Sequence, residues 1–198
     1  MNINDVTNLL WIATFCFGAS FILGMVKTRH SFPYGLKECP FILIVIGFSL
    51  QTRALYLRGL EVHGCPLGNG LERTQFILWS LILAFLIIRL VLRLNLLGTF
   101  CAGASLMLGS LSLGLKDWDT PYWKAEGYTR LFKDPWIELH ASLAIFSYGL
   151  FCLLAVVSIM YLSHRQTLLS RKSGFLGPYL PPIQELEVAA FRLLAVGV

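Results

Sequence analysis

LHASLAIFSYGLFCLLAVVSIMYL, residues 139–162, runs for 24 residues without an Asp, Glu, Lys or Arg, and its one interruption is His140. Wound as a helix it would be about 36 Å long, more than the roughly 30 Å of bilayer hydrocarbon, so it reads as a membrane span. Four more runs read the same way. Residues 8–26 carry no charge, 40–57 are broken only by Gln51, Thr52 and Arg53, 75–92 only by Arg89, and 96–115 not at all. A sixth run, 188–198, has about half the length that a crossing requires. The expected fold is all-α: a polytopic transmembrane helix bundle of five full spans plus an incomplete sixth, one transmembrane domain over residues 1–198.

Composition agrees. Of the 198 residues 56% are hydrophobic and 14% charged, with a mean hydropathy of +0.68, whereas soluble domains are about a quarter charged. The net charge of +5 does not point to nucleic acid, because the basic residues lie scattered between apolar runs. Cys16, Cys39, Cys65, Cys101 and Cys152 form no CxxC or CxxCH pattern, which excludes the usual zinc, redox-pair and covalent haem motifs. The first run lacks a basic leader and a small-residue cleavage site, so it does not read as a cleaved signal peptide. Phosphate loops, HExxH and Ser/His/Asp groupings are all missing from the sequence.

The basic residues orient the chain. Lys27, Arg29, Lys37, Arg89, Arg93, Arg165, Arg171 and Lys172 fall in one set of loops with hardly an acid. Arg58, Arg73, Lys116, Lys124, Arg130 and Lys133 fall in the other, diluted by acids. The positive-inside rule then puts the N-terminus outside. Residues 63–72 (HGCPLGNGLE), the 116–135 loop and His140 share that outer side, and Trp118, Trp123 and Trp136 gather there as an interfacial aromatic belt does. Ser20/Gly24, Gly98/Ala102 and Ser105/Gly109 have the small-xxx-small spacing that lets membrane helices approach closely.

Among the residues with chemistry, His140 stands first, since an ionisable group at the edge of a span is costly to desolvate. It reads either as a ligand or as an interfacial histidine bonded to headgroups. Glu138, two residues back, lies on a different helical face. Arg53, inside the second span, reads as a snorkelling or internally paired cation. Pro66 and Gly68 fix a turn, Asn69 is placed to cap the next helix, and Glu72 is a first-turn carboxylate. His30 and His164 read as headgroup-contacting surface residues on the opposite side.

Cys65-Pro66-Leu67-Gly68-Asn69 with Glu72, Phe76 and Trp79 resembles the PL-x-N-x-x-E loop and following span of the cytochrome c assembly family. Leu139-His140-Ala141-Ser142-Leu143, with Ser147-Tyr148, Phe151 and Tyr161-Leu162, is similar to that family's LHVSL…SY…F…YL span. The resemblance covers residues 51–162, and 186–198 enter the next family helix. The chain departs from the pattern in lacking the family's tryptophan-rich WGxxWxWDxxE segment and the histidine after it. Asp117-Trp118-Asp119 is only a superficial likeness, because it precedes His140. The expectation is therefore the N-terminal portion of a family member, from a truncated, split or frameshifted gene.

The resemblance implies a haem-binding, haem-presenting component of cytochrome c biogenesis, multi-pass in a bacterial plasma membrane. It would hold a non-covalent b-type haem and present it on the outer face to apocytochrome c. His140 matches the family's outer haem ligand, His63 is a weaker candidate, and Arg53 could meet a haem propionate. Pro66, Leu67, Asn69, Glu72 and Trp79 form the structural loop motif. The implied partners are lipid, haem, apocytochrome c and a further assembly subunit or C-terminal half. No catalytic constellation is present, and a cytochrome c synthase role would need that missing part. The alternative from a different class is a non-catalytic structural or interaction subunit with no haem site.

Overall fold

A computed structural model describes residues 3–29, 38–62, 64–92, 95–119, 134–170 and 183–197. His30, His63 and Trp123 lie outside the described residues, as do most of the 116–135 loop and several of the loop arginines and lysines. The described chain is helical: α1 (Ile3–Arg29), α2 (Cys39–Val62), α3 (Gly70–Leu92), α4 (Asn95–Gly114), α5 (Pro135–Ser170) and α6 (Ile183–Gly197), with a short 3-10 turn at Lys116–Trp118. Among the described residues, five stretches are long and apolar enough to cross a membrane: Asp5–Lys27, Cys39–Val62, Gly70–Leu90, Leu97–Gly114 and Pro135–Gln166. The sixth helix, α6, has 15 residues and would be about 22 Å long.

The helices outrun the apolar windows at their ends, because caps and turn residues end a helix where hydropathy does not. Asp134 caps α5, its Oδ1 accepting the Trp136 N–H at 3.0 Å, and Pro135 occupies the first helical position, where no N–H is needed. At the start of α3 the Asn69 Oδ1 accepts the Glu72 N–H at 2.7 Å, as its sequence position suggests. Inside the spans, hydroxyls return to their own helix. Thr14, Thr52, Ser110, Ser142 and Ser158 each donate to the carbonyl four residues back, the way such residues are tolerated in lipid.

α1 packs on α2 and α4, α3 on α4 and α5, and α6 against α5. The shared core includes Phe17, Ile44, Leu81, Phe85, Leu97, Leu153, Val157, Met160 and Leu186. Ile12, Phe15, Leu90, Met107, Leu143 and Ile159 are large, apolar and exposed. In water such a surface would aggregate; in a bilayer it faces lipid.

Small residues set the helix spacing. A Cβ on Gly98 would come within 2.7 Å of the Phe85 ring, and one on Gly24 within 2.8 Å of a Thr99 methyl. The tightest crossing is at Gly149 on α5, where an added Cβ would collide with the Ser80 side chain and sit 2.8 Å from the Ile77 carbonyl of α3. Buried amides bridge the same helices. Gln51 Nε2 of α2 donates to Gln75 Oε1 at 2.9 Å and to the Gln75 carbonyl at 3.1 Å, while Gln75 Nε2 donates to Ser112 Oγ of α4 at 3.0 Å.

Candidate functional site: the clamped loop and the start of α5

The start of α1, the end of α2, the start of α3, the end of α4 and the start of α5 meet at one end of the bundle, here the loop end. α2 runs on past Leu57 to Val62, and this extra turn carries Arg58 into the interior with 3% of its side chain exposed. Arg58 Nε lies 3.2 Å from Glu72 Oε1, and its NH2 group pairs with Asp119 Oδ1. Glu72 is 2% exposed and Asp119 29%, so the inner half of this triad is shielded from solvent and the outer half is not. Asn69 Nδ2 also donates to Asp119, at 3.2 Å. Glu72 Oε2 reaches back to accept the Gly68 N–H at 3.1 Å, which completes a reciprocal cap around Asn69.

The other side of the loop is held by α5. Glu138 accepts the Cys65 backbone N–H through Oε1, and a Cβ on Gly64 would come within 3.0 Å of the same oxygen. One turn on, Ser142 lies beside the Cys65 thiol, its own hydroxyl donating to the Glu138 carbonyl at 2.8 Å. Burial pushes that thiol above its ordinary range; the carboxylates of Glu138 and Glu72 push the same way, and the Ser142 contact opposes them. Cys65 is thus a poorly reactive thiol and a structural neighbour, not an activated nucleophile.

An open cavity of about 350 Å³ lies between α2 and α3 beside the loop, lined by Leu55, Tyr56, Leu60, Pro66, Phe76 and Trp79 among others. Trp79 donates Nε1 to Thr52 Oγ1 at 2.9 Å and stacks on Phe48 with centroids 5.8 Å apart. Trp118 packs over Gly70, and Trp136 is exposed at the start of α5.

His140 sits in the second turn of α5 with its side chain exposed. It stands about 200° around the helix from Glu138, so it faces away from the loop that Glu138 and Ser142 grip. An axial haem ligand needs an accessible imidazole, and His140 supplies one. Among the described residues, an imidazole is thus offered at the bundle surface, and the described lining of the α2–α3 cavity contains no histidine. No group of three or more His, Cys, Asp or Glu able to hold a metal ion occurs among the described residues.

The structure brings Pro66, Leu67, Asn69 and Glu72 together as a clamp, with Trp79 on the adjoining cavity wall, and leaves His140 and Arg53 outside it. Arg53 is exposed on α2 and makes no ion pair with a described residue. His164 is half-buried, and its Nδ1 is shielded from solvent; it is less of a surface residue than its sequence position suggests. Sequence reading missed Arg58, Asp119 and Glu138 as site residues. A charge in each flanking segment was the only available signal, because their partners lie 61 and 73 residues away in the chain.

The Cytochrome C assembly protein family model matches residues 67–198, two thirds of the chain, beginning within the clamped loop and including Asn69, Glu72 and His140. Protein HemX of Brevibacillus brevis is 26% identical over 196 residues, spanning 99% of this chain and 68% of its own. No solved structure matches. With that match spanning two thirds of the chain, from the loop through the α5 span just described, this chain belongs to the cytochrome c assembly protein family.

Proposed function

We propose that this chain is a haem-handling membrane component of cytochrome c biogenesis. In this reading His140 is the axial ligand of a non-covalent b-type haem held against the loop end of the bundle, and that end faces the outside of a bacterial plasma membrane. Family membership supports the biogenesis role. The observation that carries the ligand is the exposure of His140 at the start of α5, whose first turn grips the loop through the part-buried Glu138–Cys65 contact. Haem, when bound, supplies the chemistry of thioether formation with apocytochrome cysteines. The chain's own residues bind and orient it. Arg53, exposed and cationic on α2, is a weaker partner for a propionate, and His63 a weaker second ligand. Apocytochrome c and a further assembly subunit are the proposed macromolecular partners.

A second reading, a structural or interaction subunit without haem, is favoured by one observation. The family-motif residues Asn69 and Glu72 are spent on capping α3 and pairing Arg58, and neither faces an open ligand site. Two measurements on the same gene separate the readings. Deleting it should lower covalent haem staining of c-type cytochromes, and the purified chain should carry haem that acidified organic solvent extracts. Normal staining together with a colourless protein would leave only the structural reading.

A further inference from the structure

We infer that Glu138 is the positioning residue for His140: by gripping the Cys65 backbone it fixes the rotation of α5 about its axis and thereby turns the imidazole out of the bundle. The inference rests on the haem reading given above.

Several observations lead to it. Glu138 and Ser142 are one helical turn apart on one face of α5: Glu138 accepts the Cys65 backbone N–H, and Ser142 lies beside the Cys65 thiol. Two contacts on one helix face fix rotation as well as position. The loop they hold cannot follow α5 freely. It is tied to α2 by the Gly64 N–H to Gly59 carbonyl bond of 3.1 Å and to α3 by the Glu72–Gly68 bond, while the Arg58–Glu72 pair holds α2 to α3. His140, two residues on, is therefore directed away from the loop and exposed. Without Glu138, the first turn would keep the Asp134 cap but lose its tie to the loop, and helix ends fray when their polar contacts are lost.

The test uses the full chain in detergent, titrated with haemin, in the parent and in Glu138→Ala, Glu138→Gln and His140→Ala forms. Hydrogen exchange over residues 135–142 is read alongside. Glu138→Ala should speed that exchange and weaken haemin binding about tenfold, the scale of one lost hydrogen bond to a charged group. Glu138→Gln, which keeps an acceptor oxygen, should restore both most of the way, a rescue that simple misfolding would not produce. Unchanged exchange in Glu138→Ala would overturn the proposal. So would faster exchange with parental haemin affinity, and that result would leave the haem reading intact. A parent chain that binds no haemin would remove the haem reading and the positioning role together.

Discussion

Arg58 brings a charge into the interior of the bundle. A guanidinium 3% exposed is tolerated because Glu72, 2% exposed, and Asp119 lie beside it. Arg58→Ala strands the Glu72 charge and should lower stability by about 3–5 kcal/mol, read by thermal unfolding in detergent. Asp119→Asn, at the half-open end of the triad, should cost about 1 kcal/mol or less. Equal losses in the two variants would mean that the inner pair is not desolvated. Cys65 reports on the same region through its thiol. Its thiolate is disfavoured by burial and by two neighbouring carboxylates, so alkylation should set in at more alkaline pH than for an exposed cysteine. Glu138→Gln removes one of those negative charges, lowers the thiol's pKa and should move the alkylation profile to lower pH. A shift to higher pH would contradict the placement of Glu138. None of this pairing was legible in the sequence, which shows Arg53 and Arg58 as two similar charges near one apolar run. Only the fold tells them apart, by rotating one into the bundle and leaving the other on its surface.

Helix packing depends on a few close approaches that hydropathy does not register. Gly149→Ala places a methyl against the Ser80 side chain and the Ile77 carbonyl, and should cost about 1–3 kcal/mol by forcing α5 off α3. Adding Ser80→Gly should recover only part of that, because the Ile77 carbonyl remains. The Gln51–Gln75 bridge makes a complementary prediction. Gln75→Leu removes one of the two acceptors of the buried Gln51 amide, and the donor to Ser112, and should destabilise by about 1–2 kcal/mol. The double change Gln51→Leu with Gln75→Leu should be milder than the single one; additive losses would argue against direct contact. The five spans themselves were readable, since an unbroken apolar run of about 20 residues has few other uses. The small-residue pairs at Gly24 and Gly98 were readable as close approaches too. The extension of α2 to Val62 and the start of α5 at Pro135 were not, although Asp134-Pro135 is a recognisable cap and first-position pair. Gly149 stands without a small partner at the usual spacing, and its role appears only once α3 is in place.

At the scale of the whole molecule, the loop end gathers the buried ion triad, the clamped loop, the exposed tryptophans and His140, while the far end is tied by Arg89, which pairs with Glu38 at 2.7 Å and lies over the Phe41 ring. If the loop end faces outside, a membrane-impermeant thiol reagent at alkaline pH should label Cys65 in intact cells and miss Cys39. The reverse pattern would turn the bundle over and take His140 away from the outer face. The central claim, that the chain handles haem through His140, has a direct test in the Soret band of the purified full chain loaded with haemin. The parent, His30→Ala and His164→Ala should share one spectrum, and His140→Ala should lose the band or shift it strongly. A parental spectrum in His140→Ala would contradict the account.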